Sequence, residues 1–244
     1  MRTLALTAAL ATALGGTGCI VTTSDPAGDL DLAWRFQNSE GAIAGNWTAA
    51  NSGCGVALPD DVDVALYDTF NNRVLFRTYP CEEAGSGLPR AFVSNLREGT
   101  YTFVVTAYRA GSPIFEDTGS VFVNANTTTP VDATLAVLSP APLTIYFTQG
   151  GVRTCAGTPR IRYDLFTAGG TFIESNSQIA CDPVSFGFTA DTDQPTGFSY
   201  EVDLYAMTAG GASVNETCRT LVRHSGFPTT IDLLAAPDPA CPVN

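Results

Sequence analysis

The chain has 244 residues, is 45% hydrophobic and 15% charged, and carries a formal net charge of −12, with twelve arginines and no lysine. This length suits one large or two small domains. Binding to nucleic acid needs clustered positive charge, so the acidic balance argues against a nucleic-acid partner. It also argues against electrostatic binding to an anionic membrane surface.

The first nineteen residues have the pattern of an export signal. Arg2 gives a basic start, residues 4–14 form an apolar run, and residues 15–18 are small, ending at Cys19. The run is too short to cross a bilayer as mature structure. A cysteine at this cleavage point resembles a bacterial lipobox. The resemblance implies a lipoprotein signal peptide over residues 1–19, with lipidation of Cys19.

The same resemblance predicts a location for the mature protein. A lipobox prefers Leu, Val or Ile where this chain has Gly16, so the alternative is a secreted or periplasmic protein. Ile20 stands where an Asp would resemble an inner-membrane retention signal, which favours the outer membrane. We expect residues 20–29 to form a tether, and the membrane to be contacted through the lipid alone.

Six cysteines follow the leader, and an even number in an exported chain predicts disulfide bonds. The count alone allows fifteen pairings. Zinc sites need close pairs such as C-x2-C, which are absent from the sequence. The six cysteines are Cys54, Cys81, Cys155, Cys181, Cys218 and Cys241.

An internal repeat narrows these pairings. Cys54 and Cys81 are 27 residues apart, and Cys155 and Cys181 are 26 apart, with the alternating apolar pattern of a β-hairpin inside each interval. Two copies therefore imply two equivalent bonds, Cys54–Cys81 and Cys155–Cys181. Elimination leaves Cys218 to pair with Cys241, and the alternative is a free or intermolecular thiol.

Strand patterns fill the rest of the chain. Apolar and polar residues alternate from Leu30 to Gln37, the period of a strand with one buried face. No segment after the leader has a convincing helical period. Further strands are predicted at Ala91–Leu96, Tyr101–Tyr108, Ile114–Val123, Val131–Val137, Leu143–Phe147, Arg160–Phe166, Ser185–Thr189, Tyr200–Met207, Arg219–Arg223 and Thr229–Leu234.

About seven short strands per copy predict an all-β fold. We expect two tandem immunoglobulin-like antiparallel β-sandwiches, at residues 30–137 and 143–244. The segment 138–142 holds two prolines and is expected to be a short, stiff linker.

A Gly-x-Tyr-x-Phe-x-Val sequence from residue 99, matched in part from Gly197, resembles a late strand of immunoglobulin-like, fibronectin-III-like and prealbumin-like bacterial domains. The resemblance implies that Tyr101 and Tyr200 are corner tyrosines, with a buried ring and a hydroxyl bonded to the backbone. It is a likeness of fold and implies no function.

Catalytic signals are weak. His224 is the single histidine and has no nucleophile motif beside it, so a Ser-His-Asp or Cys-His arrangement has no other imidazole. Two pairs of adjacent carboxylates, Glu82-Glu83 and Asp60-Asp61, stand in loops, where acidic residues are usually solvated. We predict that the protein is not an enzyme and uses no cofactor.

Calcium is the metal ion for which the sequence offers candidate ligands. Asp60, Asp61 and Asp63 cluster before a strand, and Ca²⁺ prefers carboxylate oxygens on a loop. The spacing does not match an EF-hand, and Asp63 alternates outward on its strand. A solvated acidic turn is the favoured interpretation, with calcium as the alternative.

Trp47 is the candidate ligand contact. It lies in an insertion of the first copy, because Phe36 precedes Cys54 by 18 residues whereas Phe147 precedes Cys155 by only 8. A tryptophan in a polar loop either folds back as a lid on the sandwich or contacts a ligand, such as a sugar ring or a partner protein.

Together these features predict a non-catalytic lipoprotein of the cell envelope, with a role in recognition, adhesion or structure. One alternative is an accessory subunit of an envelope complex that binds through sheet edges. Another is a carbohydrate-binding module that uses exposed aromatic residues.

Overall fold

The computed structural model describes residues 26–184 and 186–233, except the side chains of Asn215 and Cys218. This part of the chain forms fifteen strands and one helical turn, α1 (Cys54–Ala57). The strands are β1 (Ala27–Gln37), β2 (Ile43–Ala44), β3 (Asp61–Tyr67), β4 (Arg73–Pro80), β5 (Arg90–Arg97), β6 (Gly99–Arg109), β7 (Ser112–Val123), β8 (Thr128–Val137), β9 (Thr144–Gln149), β10 (Arg160–Thr167), β11 (Phe172–Ala180), β12 (Gly187–Thr189), β13 (Ser199–Met207), β14 (Ser213–Arg223) and β15 (Thr229–Leu233).

The first copy packs two groups of strands face to face. In one group β1 lies between β5 and β8, and the short β2 pairs with the last residues of β1. In the other group the order is β4-β3-β6-β7. The groups join where β7 pairs with β8 at Phe115↔Val137 and Glu116↔Ala136. β1 begins at Ala27, within the stretch expected to be a tether, because it pairs with β5 from that residue onward.

The second copy repeats this arrangement. Its sheets have the orders β12-β9-β15 and β11-β10-β13-β14, which match β5-β1-β8 and β4-β3-β6-β7 strand for strand. The predicted all-β sandwich class is confirmed, and the duplicated pattern in the sequence corresponds to a duplicated topology.

The strand pairing differs from the prediction in two respects. β8 runs parallel to β1, and β15 runs parallel to β9. Without the short β2, each copy has seven strands that alternate in direction, so its first and last strands point the same way and pair in parallel when adjacent. β3 pairs with β4 and β6, and β10 pairs with β11 and β13, whereas the constant-type immunoglobulin order places strands A, B, E and D together.

Two hydrophobic clusters fill the spaces between the sheets. In the first, the alternating residues Leu30, Leu32, Trp34 and Phe36 of β1 are fully buried, as their spacing predicts. The indole Nε1 of Trp34 donates a hydrogen bond of 3.1 Å to the carbonyl of Cys81, which satisfies the polar atom of this buried ring. The second cluster is built by β9, β10 and β13 with their neighbours.

The corner tyrosines are confirmed. Tyr101 and Tyr200 are 7% and 5% exposed. Their hydroxyls donate hydrogen bonds of 2.9 Å to the carbonyls of Arg97 and Pro195, respectively. The first bond ties the start of β6 to the end of β5, and the second ties the start of β13 to the loop before it.

Two disulfides lie within the described residues, Cys54–Cys81 and Cys155–Cys181, each with a Cα–Cα distance of 5.9 Å. They are the pairings that the repeat predicts. Cys241 and the side chain of Cys218 lie outside the described residues, so a Cys218–Cys241 bond stays a prediction. Cys19 and the predicted leader also lie outside them. Over the ranges that the structure describes, no helix has the length and apolar character of a membrane span.

Candidate functional site

The site is built around Arg109, which ends β6 at the boundary between the two copies. Its side chain is only 5% exposed. Nε donates to the carbonyl of Leu58 at 3.2 Å, and Nη1 donates to the Thr144 hydroxyl at 3.3 Å. Nη2 donates to the carbonyls of Ala57 and Gly226. One guanidinium therefore bonds both copies.

Local chain geometry explains two of these acceptors. α1 ends at Ala57, and the last carbonyls of a helix have no partner within it. Arg109 binds the carbonyls of Ala57 and Leu58, and a cation is also favoured at a helix C-terminus. Cys54, the first residue of α1, is fixed by the disulfide to Cys81. The disulfide of the first copy thus holds one wall of the site.

The environment of Arg109 is unusual for a cation. Burial lowers the pKa of its guanidinium to about 10, while the nearby Tyr146 and Asp60 act in the opposite direction. The group is still protonated at neutral pH. Within the described ranges, none of the ion pairs involves Arg109.

A cavity of about 290 Å³, the junction cavity, opens beside this guanidinium. Arg109 and the exposed Asp60 come from the first copy, and Thr144, Tyr146 and Thr189 come from the second. The hydroxyls of Thr144 and Thr189 are 3.0 Å apart. The wall therefore combines a buried cation, three hydroxyl groups and a carboxylate at the rim.

Gly187 shapes the floor of the junction cavity. A Cβ atom on Gly187 would lie 2.6 Å from Cδ1 of Tyr146, so only glycine lets this ring lie across β12. Arg153 covers the Tyr146 ring, with its Cζ 5.3 Å from the centroid. The ring is thereby held in place on the outer face of the sheet.

The two copies are also packed together beside Arg109. Phe227 packs against the first hydrophobic cluster, with its ring 5.9 Å from that of Phe115. Arg223 forms an ion pair with Glu40 across the boundary at 3.0 Å. Ala141, in the Pro-rich segment, exchanges two backbone hydrogen bonds with Gln194. These contacts fix the orientation of one copy on the other.

His224 belongs to this packing. It is 1% exposed, and its Nε2 lies 3.0 Å from the carbonyl oxygen of Ala141. Its own backbone bonds Phe198 and Gly197. Its ring is committed to joining the Pro-rich segment to the second copy, which is a structural role.

Protonation of His224 should destabilise the fold. Burial lowers the pKa of the imidazole, as does the charge of Arg109, while the Ala141 carbonyl and Asp193 act against the shift. In the unfolded chain the imidazole titrates near pH 6.5, so the unfolded state binds the proton more readily. We expect the free energy of unfolding to fall by up to about 1.4 kcal/mol between pH 7.5 and 5.5. Chemical denaturation at both pH values measures this, and His224→Gln should lose the effect; an equal fall in that variant would contradict it.

The predicted acidic cluster lies beside the junction cavity. Asp60 accepts a hydrogen bond of 2.7 Å from the backbone N–H of Ala110. Asp63 accepts one of 2.6 Å from the Thr78 hydroxyl. Asp61 and both of these carboxylates line a second cavity of about 270 Å³. Within the described part of the chain no group of three or more potential ligands is arranged to hold a metal ion. The calcium hypothesis therefore gains no support from this geometry.

The adjacent carboxylates Glu82 and Glu83 have separate structural partners. Glu82 accepts a hydrogen bond from the Ser52 hydroxyl, which ties the insertion loop to the chain after Cys81. Glu83 forms an ion pair with Arg90 at 3.1 Å. The two side chains thus hold different loops.

Trp47 is half-buried on the outer face of the sheet formed by β5, β1 and β8. The Cζ atom of Arg35 lies 4.6 Å from the centre of its ring. Arg35 points outward from β1 and donates a hydrogen bond of 3.0 Å to Thr134 on β8. The insertion therefore folds back over the sheet, as the lid interpretation expects. A ligand contact at Trp47 stays a hypothesis.

Comparisons with known proteins concern the fold alone. No protein-family model and no curated protein matches the chain. A fimbrial assembly protein from Parabacteroides distasonis is 14% identical with a TM-score of 0.38, over 86% of this chain and 92% of that one. The fimbrial anchor protein Mfa2 from Porphyromonas gingivalis is 8% identical with a TM-score of 0.34, over 79% and 82%. The Bacillus anthracis TIE protein is 11% identical with a TM-score of 0.31; the match covers 86% of this chain but only 34% of that protein.

Proposed function

We propose that the chain is an exported, lipid-anchored component of a bacterial cell envelope, with a non-catalytic role in recognition, adhesion or structure. The observation that carries the proposal is the equivalent disulfide in each copy, Cys54–Cys81 and Cys155–Cys181. Disulfides persist in oxidising compartments outside the cytosol. An export leader that ends at Cys19 fits the same compartment.

The structural role of His224, the single histidine, supports the non-catalytic part of the proposal. His224 is the side chain that would most readily serve as a general base near neutral pH. It is buried and bonded to a backbone carbonyl at the boundary between the copies. The packing there favours a stiff two-part body that presents the surfaces of both copies in a fixed relative orientation.

An accessory subunit of an envelope complex is the second candidate, and β4 is the feature that favours it. Among the strands that the structure describes, this edge strand pairs only with β3. Val74 and Phe76 on its outer face are 48% and 51% exposed. An exposed, partly apolar edge can pair with a strand of another protein. The name of the Parabacteroides distasonis protein, a fimbrial assembly protein, suits such a role.

Labelling with radioactive palmitate tests the anchor. The wild-type chain should incorporate the label and fractionate with the outer membrane, and Cys19→Ser should do neither while keeping both disulfides. The variant is a matched control because it changes one atom outside the folded copies. An unlabelled, soluble wild-type chain would show that the leader serves secretion only.

A further inference from the structure

Arg109 holds a buried positive charge that forms no direct ion pair among the described residues, and the carboxylate that favours this charge is the exposed Asp60 at the rim of the cavity. The half-buried Arg90 pairs with Asp31 and Glu83, and the half-buried Arg162 pairs with Asp164, whereas the half-buried Arg35 donates to Thr134. Arg109 is more deeply buried than any of these, and its hydrogen-bond acceptors among the described residues are all neutral. A desolvated charge without a direct ion-pair partner is costly. An anion beside it would therefore be stabilised more than at an exposed arginine.

The guanidinium also has capacity for one more acceptor. It carries five N–H groups. One on Nε, one on Nη1 and two on Nη2 are used by the bonds to Leu58, Thr144, Ala57 and Gly226. One N–H of Nη1 has no acceptor among the described residues. Arg109 lines the junction cavity, whose other donors are the hydroxyls of Thr144, Thr189 and Tyr146.

The rim of the cavity carries a negative charge, whereas its inner wall carries the positive charge of Arg109. Asp60 is exposed there, and one of its oxygens accepts from Ala110. A ligand carboxylate near Arg109 would be repelled by Asp60, and the exposure of Asp60 to solvent weakens this repulsion without removing it. The same carboxylate can accept hydrogen bonds from ligand hydroxyls. The cavity thus favours a molecule with an acidic group at its inner end and hydroxyls toward solvent.

We propose that the junction cavity binds one acidic sugar residue of a glycan, with its carboxylate toward Arg109 and its hydroxyls toward Asp60. The cavity volume of about 290 Å³ is just below the usual range of drug-sized ligand pockets, which suits a single ring. Charge-assisted hydrogen bonds from a guanidinium to a carboxylate are the strong kind. The inference rests on the proposed recognition role and gives it a ligand class.

Calorimetric titration of the full chain with D-glucuronate tests the proposal, with D-glucose and acetate as matched probes. Glucuronate should bind at least about tenfold more tightly than glucose, which lacks the carboxylate. It should also bind more tightly than acetate, which lacks the hydroxyls. Equal affinity for glucose and glucuronate, or no binding of millimolar glucuronate, would overturn the proposal.

Two variants outside the Arg109 cluster give an independent readout. Thr189→Val removes a cavity hydroxyl and should weaken glucuronate binding, while glucose is unaffected. Asp60→Asn weakens the acceptor for the ligand hydroxyls of glucose and glucuronate alike, but it removes the repulsion of the carboxylate, so the ratio of glucuronate to glucose affinity should rise about threefold. An unchanged or lower ratio in Asp60→Asn would show that the ligand carboxylate does not lie in this cavity. Palmitate labelling at Cys19 is unaffected by any of these outcomes, so this inference can fail while the proposed anchor stands.

Discussion

Replacing both Cys54 and Cys81 by alanine should lower the free energy of unfolding of the first copy by about 3.5 kcal/mol, the loop-closure entropy expected for a loop of this length. The bond spans 27 residues, and its cysteines are 8% and 7% exposed. Removing the two buried sulfur atoms adds a packing loss to the entropic one. The bond also holds α1, whose last carbonyls bind Arg109. Denaturant unfolding followed by far-ultraviolet circular dichroism, which reports the strands of both copies, measures the effect.

The second copy provides the matched control for this prediction. Cys155 and Cys181 close a loop of nearly equal length, 26 residues, but both are less deeply buried than their equivalents. Loop entropy alone predicts equal losses for the two double variants. If the free energy of unfolding falls further in the first-copy variant, the difference measures the packing contribution. A fall below about 1 kcal/mol in both variants would show that neither bond constrains the unfolded chain.

The strands could be predicted because their alternation records which face is buried. Every predicted strand overlaps one that the structure describes, and Leu30, Leu32 and Trp34 all point into the core. β14 begins at Ser213, six residues before the predicted start at Arg219, because buried polar residues such as Glu216 and Thr217 hide the alternation. The apolar period predicts which residues are buried, so a strand that buries polar side chains lacks the pattern by which it would be recognised.

Strand order could not be predicted from the same pattern. Alternation specifies the face that each strand buries, but it does not specify the neighbour to which that strand bonds. The parallel pairs β1–β8 and β9–β15 join the two ends of each copy, about 100 residues apart in the first. A local pattern contains no information about such contacts.

The candidate site could not be found from the repeat, because it lies where the two copies differ. The offset of 99 residues that relates Tyr101 to Tyr200 places Thr208 opposite Arg109. Thr208 serves its own hairpin turn, where its hydroxyl accepts from the backbone of Ala212 at 3.1 Å. Arg109 instead reaches into the neighbouring copy. A lone arginine at the end of an apolar strand was the only signal, and such an arginine is usually solvated.

Arg109→Met should lower the free energy of unfolding by about 3 kcal/mol and loosen the joint between the copies. Methionine fills similar volume but leaves the carbonyls of Ala57, Leu58 and Gly226 without their donor, and each buried orphan acceptor costs about 1–3 kcal/mol. Relief of the buried charge offsets part of this sum. Denaturant unfolding gives the stability change, and limited proteolysis of the segment 138–142 reports the joint.

Arg73→Met is the control, because Arg73 is exposed and lies 5.1 Å from the ring of Phe76, far from the boundary in sequence and topology. It should change stability by less than about 0.5 kcal/mol and leave the proteolysis rate unchanged. If Arg109→Met were as stable as Arg73→Met, the packing of Phe227 on Phe115 and the ion pair of Arg223 with Glu40 would suffice to hold the copies. Arg109 would then be unnecessary for the joint, because its hydrogen bonds would only offset the cost of burying its charge.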